Sequence, residues 1–203
     1  MTRNAGSEAR APVDPIRLGL ISGTRFFFSH FAQATIIDRG GRLQHAGLPG
    51  HRLLGMYARS GRFTLYLQRL VPAPPAVVFK MHAEPDLFTQ WFGPNGFSVR
   101  SAEFDVRVGG GYRFWMQPPE GEPFAISGDF RDVDPPVRLV YTFLYDDPDP
   151  DDQETVVTFA LRAVNTSTEV TVEQGPFTTE QRLSLHQQGW SDTLDRLEAV
   201  LLA

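Results

Sequence analysis

A histidine interrupts an apolar helical stripe near the C-terminus. Leu183, His186, Trp190, Leu194, Leu197 and Leu201 recur at three- and four-residue spacing and share one narrow face. An imidazole there can hydrogen-bond a ligand or shuttle a proton. It can equally be a core histidine paired with a backbone or side-chain acceptor, the commoner fate of a buried polar group. Tyr141 is the second candidate: it falls on the apolar parity of a strand and suits a polar contact in a greasy pocket as well as it suits packing. Trp190 reads as core, with an indole N–H that needs a partner when buried. Trp91 and Phe92 end a short helix before Gly93-Pro94. They either flank a pocket mouth or anchor that helix.

The remaining reactive groups form no constellation. Asp105 and Arg107 precede Gly109-Gly110-Gly111, where an ion pair or turn cap is a better reading than a catalytic carboxylate. The glycine run is no phosphate loop, because no helix N-terminus follows it. Asp146, Asp147, Asp149, Asp151, Asp152 and Glu154 crowd one segment with Pro148 and Pro150. Their spacing is not that of an EF-hand, so a solvated hairpin loop is expected. The five histidines are scattered, with no pair at metal-ligand spacing. Ser184 and His186 are two apart and face different ways on a helix. Cysteine is absent, which removes thiolate chemistry and disulfides. No metal and no cofactor are expected.

The elements that position these groups are legible from pattern and punctuation. Strands are expected at Phe63–Val71, Ser98–Phe104, Tyr112–Gln117, Phe124–Val133, Arg138–Tyr145, Thr155–Val164 and Glu169–Glu173, bounded by Gly, Pro, Asn or Asp. Two short helices follow the first strand, at Ala76–His82 and after Glu84-Pro85-Asp86. Short connections without crossover helices favour an antiparallel sheet and an α+β class. By parity, Tyr112, Phe114 and Met116 share a face, as do Leu139, Tyr141 and Phe143, and Val157, Phe159 and Leu161. Trp115 falls on the outer parity without an evident reason. Thr178 with Gln181 reads as a capping box for the last helix. Gly189 costs roughly 1 kcal/mol in mid-helix, and close approach of another backbone beside Trp190 is its expected reason.

The ordered motifs Val77-Val78-Phe79, Gln90-Trp91-Phe92-Gly93-Pro94, Asp105-Val106-Arg107-Val108-Gly109-Gly110, Gly128 with Pro135-Pro136 and Arg138-Leu139-Val140-Tyr141-Thr142, and His186 with Gly189-Trp190 together resemble the activator of Hsp90 ATPase homologue-like family. That family lies in the START-like (SRPBCC) superfamily, and the resemblance spans about residues 63–202. It implies a helix-grip fold: a curved antiparallel sheet wrapped around a long C-terminal helix, with two short helices after the first strand. On that basis a ligand pocket is expected to be lined by Trp91, Phe92, Tyr112, Phe114, Met116, Phe130, Tyr141, Phe143, His186 and Trp190.

Three functions follow as expectations. The first is binding of a small hydrophobic or aromatic ligand without catalysis. The second is a cyclase, dehydratase or hydrolase using His186 and Tyr141. The third, from the family resemblance, is an Hsp90-type co-chaperone or stress-related interaction module with a chaperone partner. A homodimer is a further possibility.

Bulk properties narrow the classes. Residues 61–203 carry a net charge of −10, which disfavours nucleic acid. Residues 1–60 carry +5 and are expected to be a poorly ordered or atypical extension outside the ligand-binding domain of residues 61–203. Their apolar stretch from Ile16 to Ile37, with Phe26-Phe27-Phe28, is too interrupted to span a bilayer and lacks signal-peptide order. Met56 opens the run into the first good strand and is a candidate start. A cytoplasmic location is expected.

Overall fold

The computed structural model describes residues 63–203 in full and, before them, only the backbone of strands. Those strands are β1 (Leu20–Ile21), β2 (Thr24–Arg25), β3 (Thr35–Ile36), β4 (Arg52–Arg59) and the first residue of β5 (Arg62–Val71). The expected poorly ordered extension otherwise lies outside the described residues. β4, which contains Met56, pairs antiparallel with β5 from Arg52 opposite Arg69 to Arg59 opposite Arg62. β3 pairs parallel with β4, and β1 with β2.

The remaining elements are α1 (Pro75–Ala83), α2 (Pro85–Trp91), β6 (Ser98–Phe104), β7 (Gly111–Gln117), β8 (Phe124–Asp134), β9 (Arg138–Tyr145), β10 (Thr155–Val164), β11 (Ser167–Phe177) and α3 (Glu180–Leu202). Seven strands form a curled antiparallel sheet in the order β5-β11-β10-β9-β8-β7-β6, which β4 and β3 extend at the β5 edge. α3 packs on β5 and β11, α2 packs on β6, and the two helices touch. The sheet therefore grips the long helix: this is the helix-grip α+β fold.

Local chemistry explains the elements. Pro75 and Pro85 each occupy the first turn of a helix, where a missing N–H costs nothing. Both helices are too short to persist alone. α1 buries Val78, Phe79, Met81 and His82, and α2 buries Phe88 and Trp91. In β7, Tyr112, Phe114 and Met116 are buried, whereas Arg113 is exposed. The outward Trp115 has a partner: the Arg113 guanidinium lies 4.6 Å from its ring centroid and also pairs with Asp146 at 2.5 Å.

Two glycines are demanded by close approach. A Cβ at Gly128 would lie 2.1 Å from the Thr142 carbonyl oxygen, which accepts a hydrogen bond from the Tyr112 hydroxyl at 2.6 Å. A Cβ at Gly110 would lie 2.0 Å from the Asp105 carbonyl oxygen. Asp105 and Arg107 form an exposed ion pair at 2.8 Å on that turn. Their role is the bend.

α3 starts one residue later than the capping box predicts. Thr179 is the N-cap and accepts from the Arg182 N–H at 3.1 Å. Thr178 instead donates its hydroxyl proton to the Asp151 carbonyl at 2.6 Å. The stripe buries as expected at Leu183, Trp190, Leu194 and Leu197, and the helix also buries Arg182, Gln187 and Thr193. No helix among the described residues is long and apolar enough to cross a membrane.

Candidate functional site

Between α3 and the inner face of β7–β9 lies an apolar cleft with about 630 Å³ of empty space, continuous with solvent. The sheet contributes Met116, Phe124, Ile126, Phe143 and Tyr145 to its walls. α3 contributes Leu185, His186, Gly189, Trp190 and Thr193, and the loop after α2 contributes Phe92, Pro94 and Phe97. No Lys, Arg, Asp or Glu lines it. At Gly189 the expected backbone neighbour is absent: a Cβ would meet only Pro94 Cγ, at an ordinary 3.6 Å. The glycine leaves the helix side of the cleft open.

The loop wall is pinned to α3. One Arg196 Nη1 donates to the carbonyls of Gly93 (3.0 Å), Pro94 (3.2 Å) and Phe97 (2.8 Å). The Asn95 N–H donates to Asp192 at 3.3 Å. These bonds hold Pro94 and Phe97 against the helix and give the cleft its rim.

His186 is oriented by a buried amide. Gln174, on β11 and fully buried, accepts from the Trp190 indole N–H through Oε1 at 2.7 Å. The same oxygen lies 3.2 Å from His186 Nδ1. The Gln174 Nε2 donates to the Thr155 hydroxyl at 2.9 Å. An indole N–H can only donate, so the atom facing it is the amide oxygen, and His186 Nδ1 must then carry the proton. Nε2 is left as an acceptor with no partner among the described residues. Burial, and then the Arg182 charge, pulls the His186 pKa down to about 3, so the ring is neutral at ordinary pH.

A second, inner space lies next to the first and is nearly filled by its own side chains. It is lined by His82, Phe88, Phe92, Phe104, Tyr112, Phe114, Phe130, Tyr141 and Phe143. Tyr141 meets His82 here, with Nε2 and the hydroxyl 2.9 Å apart. His82 stacks on Phe159 at 4.2 Å, and its Nδ1 is buried without a partner. Desolvation lowers the His82 pKa to about 3 and raises that of Tyr141 well above its usual value. Both groups are therefore neutral.

The acidic segment is not merely solvated. Arg182, 5% exposed, binds Asp149 and Asp151 at 2.6 Å and lies 3.3 Å from Asp152. Its hydrogen bonds hold the Asp151 carboxyl below the usual carboxylate range. This clasp fixes the segment to the first turn of α3, next to His186.

Residues 72–202 match the family described as Activator of Hsp90 ATPase homolog 1-like protein. The chain belongs to this family. A solved protein of Nitrosomonas europaea is similar at 28% identity and a TM-score of 0.60, covering 71% of this chain and 96% of that one. One from Chromobacterium violaceum has 25% identity and a TM-score of 0.61, covering 68% and 96%. The AHSA1 protein of Silicibacter pomeroyi has 25% identity and a TM-score of 0.60, covering 68% and 97%. No curated protein matches the chain.

Within this family member, the expected pocket residues divide between the compartments. Phe92, Met116, Phe143, His186 and Trp190 line the cleft; Tyr112, Phe114, Phe130 and Tyr141 line the inner space, which Phe92 and Phe143 share. Trp91 lines neither, and donates its indole proton to the Met81 carbonyl at 2.7 Å. His186 and Tyr141, the pair an acid/base reading requires, take different partners and face different compartments. Sequence reasoning missed Gln174, His82, Tyr145 and Arg182. Gly175-Pro176 hid Gln174, because it reads as a strand end while β11 runs on through a bulge to Phe177. Helix α1 is too short to assign His82 to a face by periodicity.

Proposed function

We propose that this chain binds a small hydrophobic or aromatic molecule in the cleft between α3 and strands β7–β9, without carrying out chemistry on it. The observation that carries this reading is the open apolar wall, free of charged side chains, with a neutral histidine held in it. Phe92, Phe143 and Trp190 supply flat surfaces for an aromatic ring. Acid/base chemistry has less support, since His186 and Tyr141 take different partners and face no common space.

Gly189 gives a direct test. A leucine there projects into the cleft past Pro94 with no backbone clash. Native mass spectrometry of gently purified protein is expected to find a bound small molecule on the wild-type chain. It should find none on Gly189→Leu, whose circular dichroism should be unchanged. A variant that folds normally and keeps the same ligand would remove the cleft from consideration.

A further inference from the structure

The cleft is polar at few points, and the polarity of one is set from behind. Trp190 can only donate, so it selects the oxygen face of Gln174. Gln174 is held in that orientation by its bond to Thr155. The oxygen then takes the His186 Nδ1 proton. The consequence is an imidazole that offers an acceptor, Nε2, rather than a donor. Tyr145 is the neighbouring polar group, its ring centroid 6.0 Å from that of His186. Its half-buried phenol stays protonated and can both donate and accept.

The charged surroundings point the same way. No cation lines the cleft to meet a carboxylate. The guanidinium nearest His186 along the helix, Arg182, is committed to Asp149, Asp151 and Asp152. It is not free to turn toward a ligand carboxylate in the cleft.

We infer that the cleft selects neutral ligands bearing a hydroxyl, a phenol or alcohol whose O–H donates to His186 Nε2, over carboxylates and over ethers of the same shape. This rests on the cleft being a binding site. A ligand hydroxyl can donate to the imidazole while accepting from Tyr145, a match that an ether or a carboxylate cannot make. Trp190, Gln174 and Thr155 thus act as positioning residues for the acceptor.

The test is a chemical-shift titration of the full chain with four probes of one shape: naphthalene, naphthol, methoxynaphthalene and naphthoate. One net hydrogen bond predicts naphthol binding about tenfold tighter than methoxynaphthalene. Naphthoate should bind more weakly than naphthalene itself. In His186→Phe the naphthol and methoxynaphthalene affinities should converge while naphthalene still binds. The ¹⁵N shifts of the His186 ring, read on the wild-type chain, should report Nδ1 protonated and Nε2 bare. Equal affinities for naphthol and its ether, tightest binding by naphthoate, or a proton on Nε2 would overturn the inference while leaving the cleft as a binding site. Failure of all four probes, naphthalene included, to shift cleft resonances would overturn both.

Discussion

Among the described residues, His82 is buried and His186 half-buried, each to a different end. His186 is oriented by Gln174 and faces the cleft, whereas His82 is stacked on Phe159 and tied to Tyr141. Both have pKa values pulled from 6.5 to about 3, chiefly by desolvation. Their unfolded forms take up protons below pH 6.5, while the folded forms do not until near pH 3. Their contribution to stability is therefore complete above pH 6.5 and lost as pH falls toward 3. For His82, 4% exposed, the loss is about 2 kcal/mol between pH ~7 and ~5. Urea unfolding across that range should show this loss. His82→Gln, which cannot charge, should show a fall smaller by about that amount. An equal fall in both proteins would mean that His82 is not the group being titrated. The candidate His186 was legible from sequence because a polar residue on an apolar stripe is conspicuous. Its tautomer was not, since Gln174 stands on another element.

The elements carry their own lesson at the start of α3. Both Thr178 and Thr179 are N-cap residue types, and the capping-box spacing favours the first. The acidic segment decides otherwise, because Thr178 is used to hold the Asp151 carbonyl and Thr179 is left to cap. Thr179→Ala should cost about 1 kcal/mol of unfolding free energy. Thr178→Ala should cost roughly half as much, since it removes one exposed hydrogen bond. Denaturation midpoints of the two variants decide the point, and the reverse order would restore Thr178 as the cap. The strands were better read than the helix terminus. Period-two alternation placed Tyr112, Phe114, Met116, Leu139 and Tyr141 on the inner face, and all are buried.

At the scale of the molecule, the curled sheet and the long helix do not close on one another completely. They leave between them the solvent-connected apolar cleft beside α3. An occupant that binds only the folded state stabilises it by about 2.7 kcal/mol at a hundredfold excess over Kd. For a chain of this size that raises Tm by roughly 5–10 °C. Naphthol at that excess should produce such a shift in the wild-type chain and little or none in Gly189→Leu, read by differential scanning calorimetry. A shift of the same size in both proteins would place the bound molecule elsewhere.

The amino-acid sequence alone determined the class, the strand faces, the two short helices and the stripe of α3, because each follows from alternation or turn chemistry within a few neighbouring residues. Tertiary structure alone decided that Tyr141 pairs with His82 and not with His186, and that an inner-facing row of aromatics splits into two compartments. It also decided that Gln174 sets the proton on His186. Periodicity assigns a side chain to a face of a strand but not to a place along a coiled sheet. Which turn of α3 meets which residue depends on register and curl summed over strands β7 to β11, and no local pattern encodes that sum.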